Sequence, residues 1–174
     1  MKKLKTGKLT PLALLVALIL VAYEFYQEYS HKELNAKVVN VSDGDTFRAI
    51  IDGETRRVRL SDIDCPEKTQ PYGNKAKLFT SERIKGQHVY VRIDGKDRYG
   101  RILGTVFLED GTNLNEELVK KGLAWHYKDY SSNQQFADFE KQARMSGKGL
   151  WSQKKPMAPW TYRKNKRKAQ PAAA

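Results

Sequence analysis

Only one cysteine, Cys65, occurs in 174 residues, which excludes an internal disulfide. With just three histidines, His31, His88 and His126, the chain has no zinc-ligand spacing, and no histidine has an acid or cysteine partner at a useful distance in sequence. There is no internal repeat and a single long apolar run. A chain of this length without disulfide staples must draw its stability from one hydrophobic core. Cys65 is therefore expected as a small, partly buried residue, and one globular domain is the expectation.

The apolar run is Leu12 to Ala22, preceded by Lys2, Lys3, Lys5, Lys8 and Pro11. A positive segment followed by eleven side chains without a polar atom has the form of an export signal. Residues 1–30 are thus read as a signal peptide or signal anchor. No small-residue cleavage site follows, and Tyr23, Phe25, Tyr26 and Tyr29 suit an interfacial belt, which favours an uncleaved anchor over residues 11–26. Release by cleavage stays open. Either way the domain is expected outside the cytoplasm.

The net charge of +12 is uneven. Four positive charges lie in the N-terminal segment, five lie in Arg163, Lys164, Lys166, Arg167 and Lys168, and residues 23–36 carry −2, which leaves +5 for residues 37–160. A mildly basic body suits a polyanion and equally suits an ordinary solvated surface. Residues 161–174, charged and then alanine-rich, read as a basic disordered tail. Phosphate contacts and a merely solvated end are both open for it.

Between these ends the pattern is of short strands: Lys37 to Val41, Thr46 to Ile51 and Thr55 to Leu60, with Asp52-Gly53 as a hairpin turn. Gly73 to Ile84 has helical spacing and ends before Gly86. Strands follow at His88 to Ile93 and Ile102 to Leu108. A second helix starts from an Asn113/Glu116 capping box and ends at Gly122; a third starts near Ser132 and ends at Gly147. Leu150, Trp151 and Trp160 read as clasps on the core. The expected fold is α+β, mainly β: a five-stranded OB-type Greek-key barrel with three helices.

Asp43-Gly44-Asp45-Thr46 opens the second strand, Arg59 lies near the end of the third, and Asp64-Cys65-Pro66-Glu67 follows within eight residues. Neighbouring strands would bring Asp45 and Asp64 together as hard oxygen ligands for Ca2+, with a backbone carbonyl such as that of Cys65. Phosphodiester hydrolysis needs an activated water and charge compensation on phosphoryl oxygens. Glu67 is of the type to activate the water; Arg59 and Arg101 can each offer parallel N–H donors, as a lysine cannot. Each piece alone is common, since D-G-D is ordinary turn composition and D-x-x-x-R an ordinary ion pair.

Together, DGDT at 43–46, RLSDIDCPE at 59–67, DRYGR at 97–101, NEELVKKGLAW at 115–125 and GKGLW at 147–151 resemble the staphylococcal nuclease, or thermonuclease, family. The resemblance implies a nuclease domain over residues 37–155 that hydrolyses DNA or RNA with Ca2+, leaving 5′-hydroxyl and 3′-phosphate ends. It also implies that Arg59, Glu67 and Arg101 are catalytic, and that Asp45, Asp64 and the Cys65 carbonyl hold the ion. Cys65 stands where the type enzyme has threonine, a change the backbone oxygen should not feel. The loop from Lys68 to Gly73 is much shorter than that enzyme's, so substrate preference is expected to differ. Base stacking and packing against the barrel both stay open for Tyr127 and Tyr130. A nucleic-acid- or protein-binding module on the same barrel and an anchored structural protein with a basic exterior are the competing readings, and neither would need all three catalytic side chains. Nothing calls for a protein partner, and a monomer is expected.

Overall fold

The structure, a computed structural model, describes residues 10–30 and 33–169. The chain divides into two units, Met1–Lys32 and Glu33–Ala174. In the first, helix α1 (Pro11–Ser30) contains the apolar run, and Leu12, Leu14, Leu15, Leu18, Ile19 and Leu20 are all exposed. No helix among the described residues is long and apolar enough to cross a membrane. The four N-terminal lysines lie outside the described residues.

In the second unit, β1 (Glu33–Val41), β2 (Thr46–Ile51), β3 (Glu54–Leu60), β5 (His88–Lys96) and β6 (Ile102–Phe107) close a barrel in the order β1-β2-β3-β6-β5. The pairs are antiparallel except β3 with β6. Alternation explains much of the core: Ala36, Val38, Phe47, Ala49, Val58, Leu60, Val89, Val91 and Val106 are buried, while neighbours such as Lys37, Arg48, Arg57, His88 and Tyr90 are exposed. Register shifts between Val38 and Asn40 and between Ile93 and Gly95 bend β1 and β5, as closure of a small barrel requires. At the β2–β3 hairpin, Asp52 (φ 50°) and Gly53 (φ 79°) are both left-handed, the backbone of a two-residue primed turn.

Helix α2 (Gly73–Ile84) follows the short strand β4 (Ile63–Asp64). Helix α3 (Leu114–Lys120) starts at the expected Asn113 cap: Asn113 Oδ1 accepts from the Glu116 amide, and its Nδ2 donates to Glu116 Oε1. Helix α4 (Gln134–Met145) starts one residue later than expected, with Asn133 rather than Ser132 as its cap. The two-residue strand β7 (Trp125–His126) pairs with β4 in a ribbon apart from the barrel. It was not expected from the sequence.

Three expectations are corrected. The second unit has helices α2, α3, α4 and also α5 (Pro159–Ala169), so the barrel carries one more helix than the three expected, among the described residues. Residues 161–169 are accordingly helical rather than a disordered tail, with Pro159 buried at the helix start, where a missing N–H costs nothing; residues 170–174 lie outside the described residues. The first strand also begins at Glu33 rather than Lys37, because Glu33 to Ala36 pair with β5.

Candidate active site

The hairpin turn fixes the site's first relationship. Pairing Ile51 with Glu54 across Asp52-Gly53 sets Thr46 opposite Arg59, so Asp45 lies beside the Arg59 side chain. Arg59 Nη1 donates to Asp45 Oδ1 at 2.9 Å and Nη2 donates to Asp64 Oδ1 at 2.8 Å. Asp64 is held in place by the β4–β7 ribbon, opposite Trp125, and is fully buried. Asp45 Oδ2 accepts from the Cys65 amide at 2.9 Å, and Oδ1 also accepts from the Thr46 hydroxyl at 3.0 Å. Cys65 thus joins the cluster visibly through its N–H. Its thiol is buried, and burial followed by the charges of Asp45 and Asp64 pushes its pKa well up, so it stays a neutral packing group.

Close backbone approaches support these side chains. A Cβ on Gly44 would lie 2.7 Å from Ala76 Cβ and 2.8 Å from Cys65 Sγ, so the D-G-D segment needs glycine to nest between α2 and Cys65. The Gly44 carbonyl there accepts from Thr80 Oγ1 at 2.7 Å. A Cβ on Gly73 would fall on the Glu67 carbonyl, so the start of α2 is seated directly against Glu67. The Glu67 amide donates to Gln70 Oε1, and the Glu67 carbonyl accepts from the Gln70 amide, both at 2.8 Å. These contacts fix the backbone of a side chain that is 39% exposed.

Arg101 is placed separately. Its Nε donates to Asp97 Oδ2 at 2.6 Å, and Asp97 Oδ1 accepts from the amides of Tyr99 and Arg101. Those bonds outweigh desolvation and hold the Asp97 carboxyl below its usual range. Among the described residues no hydrogen bond joins Arg101 to the Asp45–Asp64–Glu67 cluster, and both of its Nη groups are left without one. The structure therefore brings together Asp45, Arg59, Asp64, Cys65 and Glu67, and presents Arg101 from the β5–β6 loop with a free fork.

One member of the cluster was missed in the sequence. Arg163, in α5, donates from Nη1 to Asp64 Oδ1 (3.1 Å) and Glu67 Oε1 (2.8 Å), and from Nη2 to Asp64 Oδ2 (2.8 Å). Trp160, one turn earlier on the same face, stacks on Tyr127 (5.1 Å, 7°) and packs edge-on against Trp125 (5.6 Å). Tyr162 and Thr69 share a hydroxyl hydrogen bond at 2.8 Å. The available signal was Pro-Trp followed three residues later by Arg at the head of a basic run.

Electrostatics concentrate here. Burial opposes charge on Arg59 and on Arg163, but their carboxylate partners more than offset it, so both guanidiniums are held above their ordinary range. Burial first, with Asp45 adding, raises Asp64, while Arg163 and Arg59 oppose the rise. Burial and the neighbouring Asp45 push Asp43 up to about 7. Carboxylate charge in this corner is therefore incompletely compensated, the condition that a bound cation relieves.

The donors fit a hard cation: Asp43, Asp45 and Asp64 offer only oxygen, the ligand type of Ca2+ or Mg2+ rather than of Zn2+ or Cu2+. Among the described residues, no three acidic, histidine or cysteine groups are already arranged to hold a metal ion; guanidiniums span the carboxylates instead.

A family model described as staphylococcal nuclease homologue matches residues 57–153. The chain belongs to the staphylococcal nuclease family. An uncharacterized endonuclease of Escherichia coli is 38% identical over 134 residues, 77% of this chain and 88% of that protein. A micrococcal nuclease of Shigella flexneri is 35% identical over 147 residues, 79% of this chain and 84% of that protein. The staphylococcal-like nuclease CAN1 of Arabidopsis thaliana is 41% identical over 111 residues, 64% of this chain but 34% of its own length. The closed mixed barrel with flanking helices is consistent with the OB-like fold of this family. In this member, α5 and Arg163 lie beyond the segment that the family model matches.

Proposed function

We propose that the protein is a calcium-dependent nuclease that hydrolyses phosphodiester bonds in DNA or RNA and leaves 5′-hydroxyl and 3′-phosphate ends. Membership of a nuclease family makes nucleic acid the substrate class. The observation that carries the finer reading is the Arg59 fork across Asp45 and Asp64 with Glu67 attached to the same cluster.

In this reading Glu67 accepts a proton from water as the water oxygen bonds to phosphorus and the bond from phosphorus to the 5′ oxygen breaks. The departing oxygen takes up a proton. Arg101 meets the phosphoryl group with its two free Nη donors, and Arg59 with those of its five N–H groups that the aspartates leave. Asp45, Asp64 and the Cys65 carbonyl would hold Ca2+, which when bound supplies positive charge to a phosphoryl oxygen and lowers the pKa of its water.

The lysines and apolar run of the N-terminal segment support its reading as an export signal, which would put the nuclease outside the cytoplasm either anchored or released. The function is tested by incubating the protein with plasmid and with RNA, in Ca2+ and in chelator, and determining the end groups. Cleavage in Ca2+ alone with 3′-phosphate ends supports the reading; binding without cleavage in any divalent metal rejects it.

A further inference from the structure

Helix α5 touches the β4–β7 ribbon and its adjoining loops at two points where the proposed ligands would sit. Arg163 engages both oxygens of Asp64: Oδ1 accepts from Arg59 and Arg163, and Oδ2 accepts from Arg163. The same guanidinium holds Glu67. Trp160 lies nearly parallel on the half-buried Tyr127, in the manner of a base on an aromatic platform.

We propose that α5 is an autoinhibitory latch: Arg163 stands in for a divalent cation at Asp64 and ties up the Glu67 carboxylate, Trp160 stands in for a base on Tyr127, and cation and helix compete for Asp64. The proposal rests on the reading of Asp64 as a cation ligand. A cation brought to Asp64 would meet a guanidinium of like charge on the same carboxylate, where burial weakens screening.

The helix is also built to leave. It has no acidic residue, and Arg163 with Arg167 and Lys164 with Lys168 are like-charged pairs at a spacing that destabilises an isolated helix. Lys164, Lys166, Arg167 and Lys168 are exposed and form no ion pairs among the described residues. Beneath the helix start lies a cavity of about 220 Å³ lined by Pro66, Gln70, Trp125, Met157 and Tyr162, so the seat is incompletely packed. Once Asp64 is taken by a cation, α5 loses both Arg163 bonds to that carboxylate and keeps the Arg163 bond to Glu67, the Trp160 contacts with Tyr127 and Trp125, the buried Pro159 and the Thr69–Tyr162 hydrogen bond.

The test uses the full chain without nucleic acid. Ca2+ is titrated calorimetrically into wild type, Arg163→Gln and Trp160→Ala, each checked by thermal melting, and hydrogen exchange of residues 159–169 is followed in wild type with and without Ca2+. The latch predicts that Arg163→Gln binds Ca2+ about ten-fold more tightly, within the usual range of coupling between sites. It predicts that Trp160→Ala shifts in the same direction and that Ca2+ speeds exchange in α5 while the barrel strands stay protected. Unchanged or weaker Ca2+ affinity in the variants, or α5 exchange that is unchanged or slowed, overturns the latch and leaves the calcium reading standing. If no folded form binds Ca2+ at any concentration, both fall. If Arg163→Gln does not fold, Trp160→Ala and the wild-type exchange data decide.

Discussion

Arg59 donates to Asp64 at 2.8 Å through one arm of its guanidinium while the other arm holds Asp45 at 2.9 Å, so one side chain sets the spacing of two buried carboxylates. Lysine keeps the charge but cannot span both. Arg59→Lys should slow cleavage by roughly 30- to 1000-fold, about 2–4 kcal/mol of transition-state stabilisation. Arg59→Ala should also destabilise the fold by about 3–5 kcal/mol, because it leaves the buried Asp45 carboxylate without its guanidinium, while Asp64 keeps Arg163. Steady-state kinetics and denaturant melts of the two variants separate these effects.

Gly73→Ala tests how Glu67 is positioned. The added methyl would fall on the Glu67 carbonyl, which belongs to the backbone and cannot swing aside. Overpacking of this kind costs about 1–3 kcal/mol, and the shift should pass directly to Glu67, so kcat should drop more than nucleic-acid affinity. A variant that melts and cuts like wild type would show that α2 does not seat the glutamate.

The Thr46–Arg59 relationship was legible because strand alternation and a two-residue Asp52-Gly53 turn together dictate register. The Asn113 cap was legible for similarly local reasons, and the lone Cys65, expected to be partly buried, is buried. The β4–β7 ribbon was not, since two residues a side carry no periodicity, although it is what places Asp64. Helix α5 was not legible either. Five cations followed by alanines have the composition of a solvated tail, and the helix owes its order to Trp160 and Arg163, whose partners lie far away in sequence. Arg163 could be read as part of a charge run, but its destination could not.

His126 predicts an acid-side loss of stability. Burial foremost, with Lys128 adding, lowers its pKa below the ordinary 6.5, against the opposing charges of Glu140 and Asp62. The unfolded chain therefore binds the proton first as pH falls, so the stabilisation is complete above about 6.5 and declines below it. Asp43, raised to about 7, works in the opposite sense, favouring the folded state as pH falls. Only the difference between proteins isolates the histidine: wild type minus His126→Gln, measured by denaturant unfolding from about pH 5 to 8, should shrink toward acid. A difference independent of pH would contradict this.

The N-terminal segment predicts fractionation. If residues 11–26 anchor the protein, the full-length mass should be recovered with membranes. A soluble product beginning between Tyr23 and Lys37 would instead show signal cleavage.

The most direct test of the central claim is single-turnover cleavage of plasmid and RNA in Ca2+ by Glu67→Gln, with binding and thermal melting measured on the same preparation. The substitution keeps the shape of a side chain whose carboxylate meets Arg163 and whose backbone is fixed by Gln70. Loss of a general base typically removes about 10² to 10⁴ in rate, so cleavage should fall by that factor while nucleic-acid binding largely survives. A folded Glu67→Gln protein that binds and cuts at the wild-type rate would contradict the proposed site.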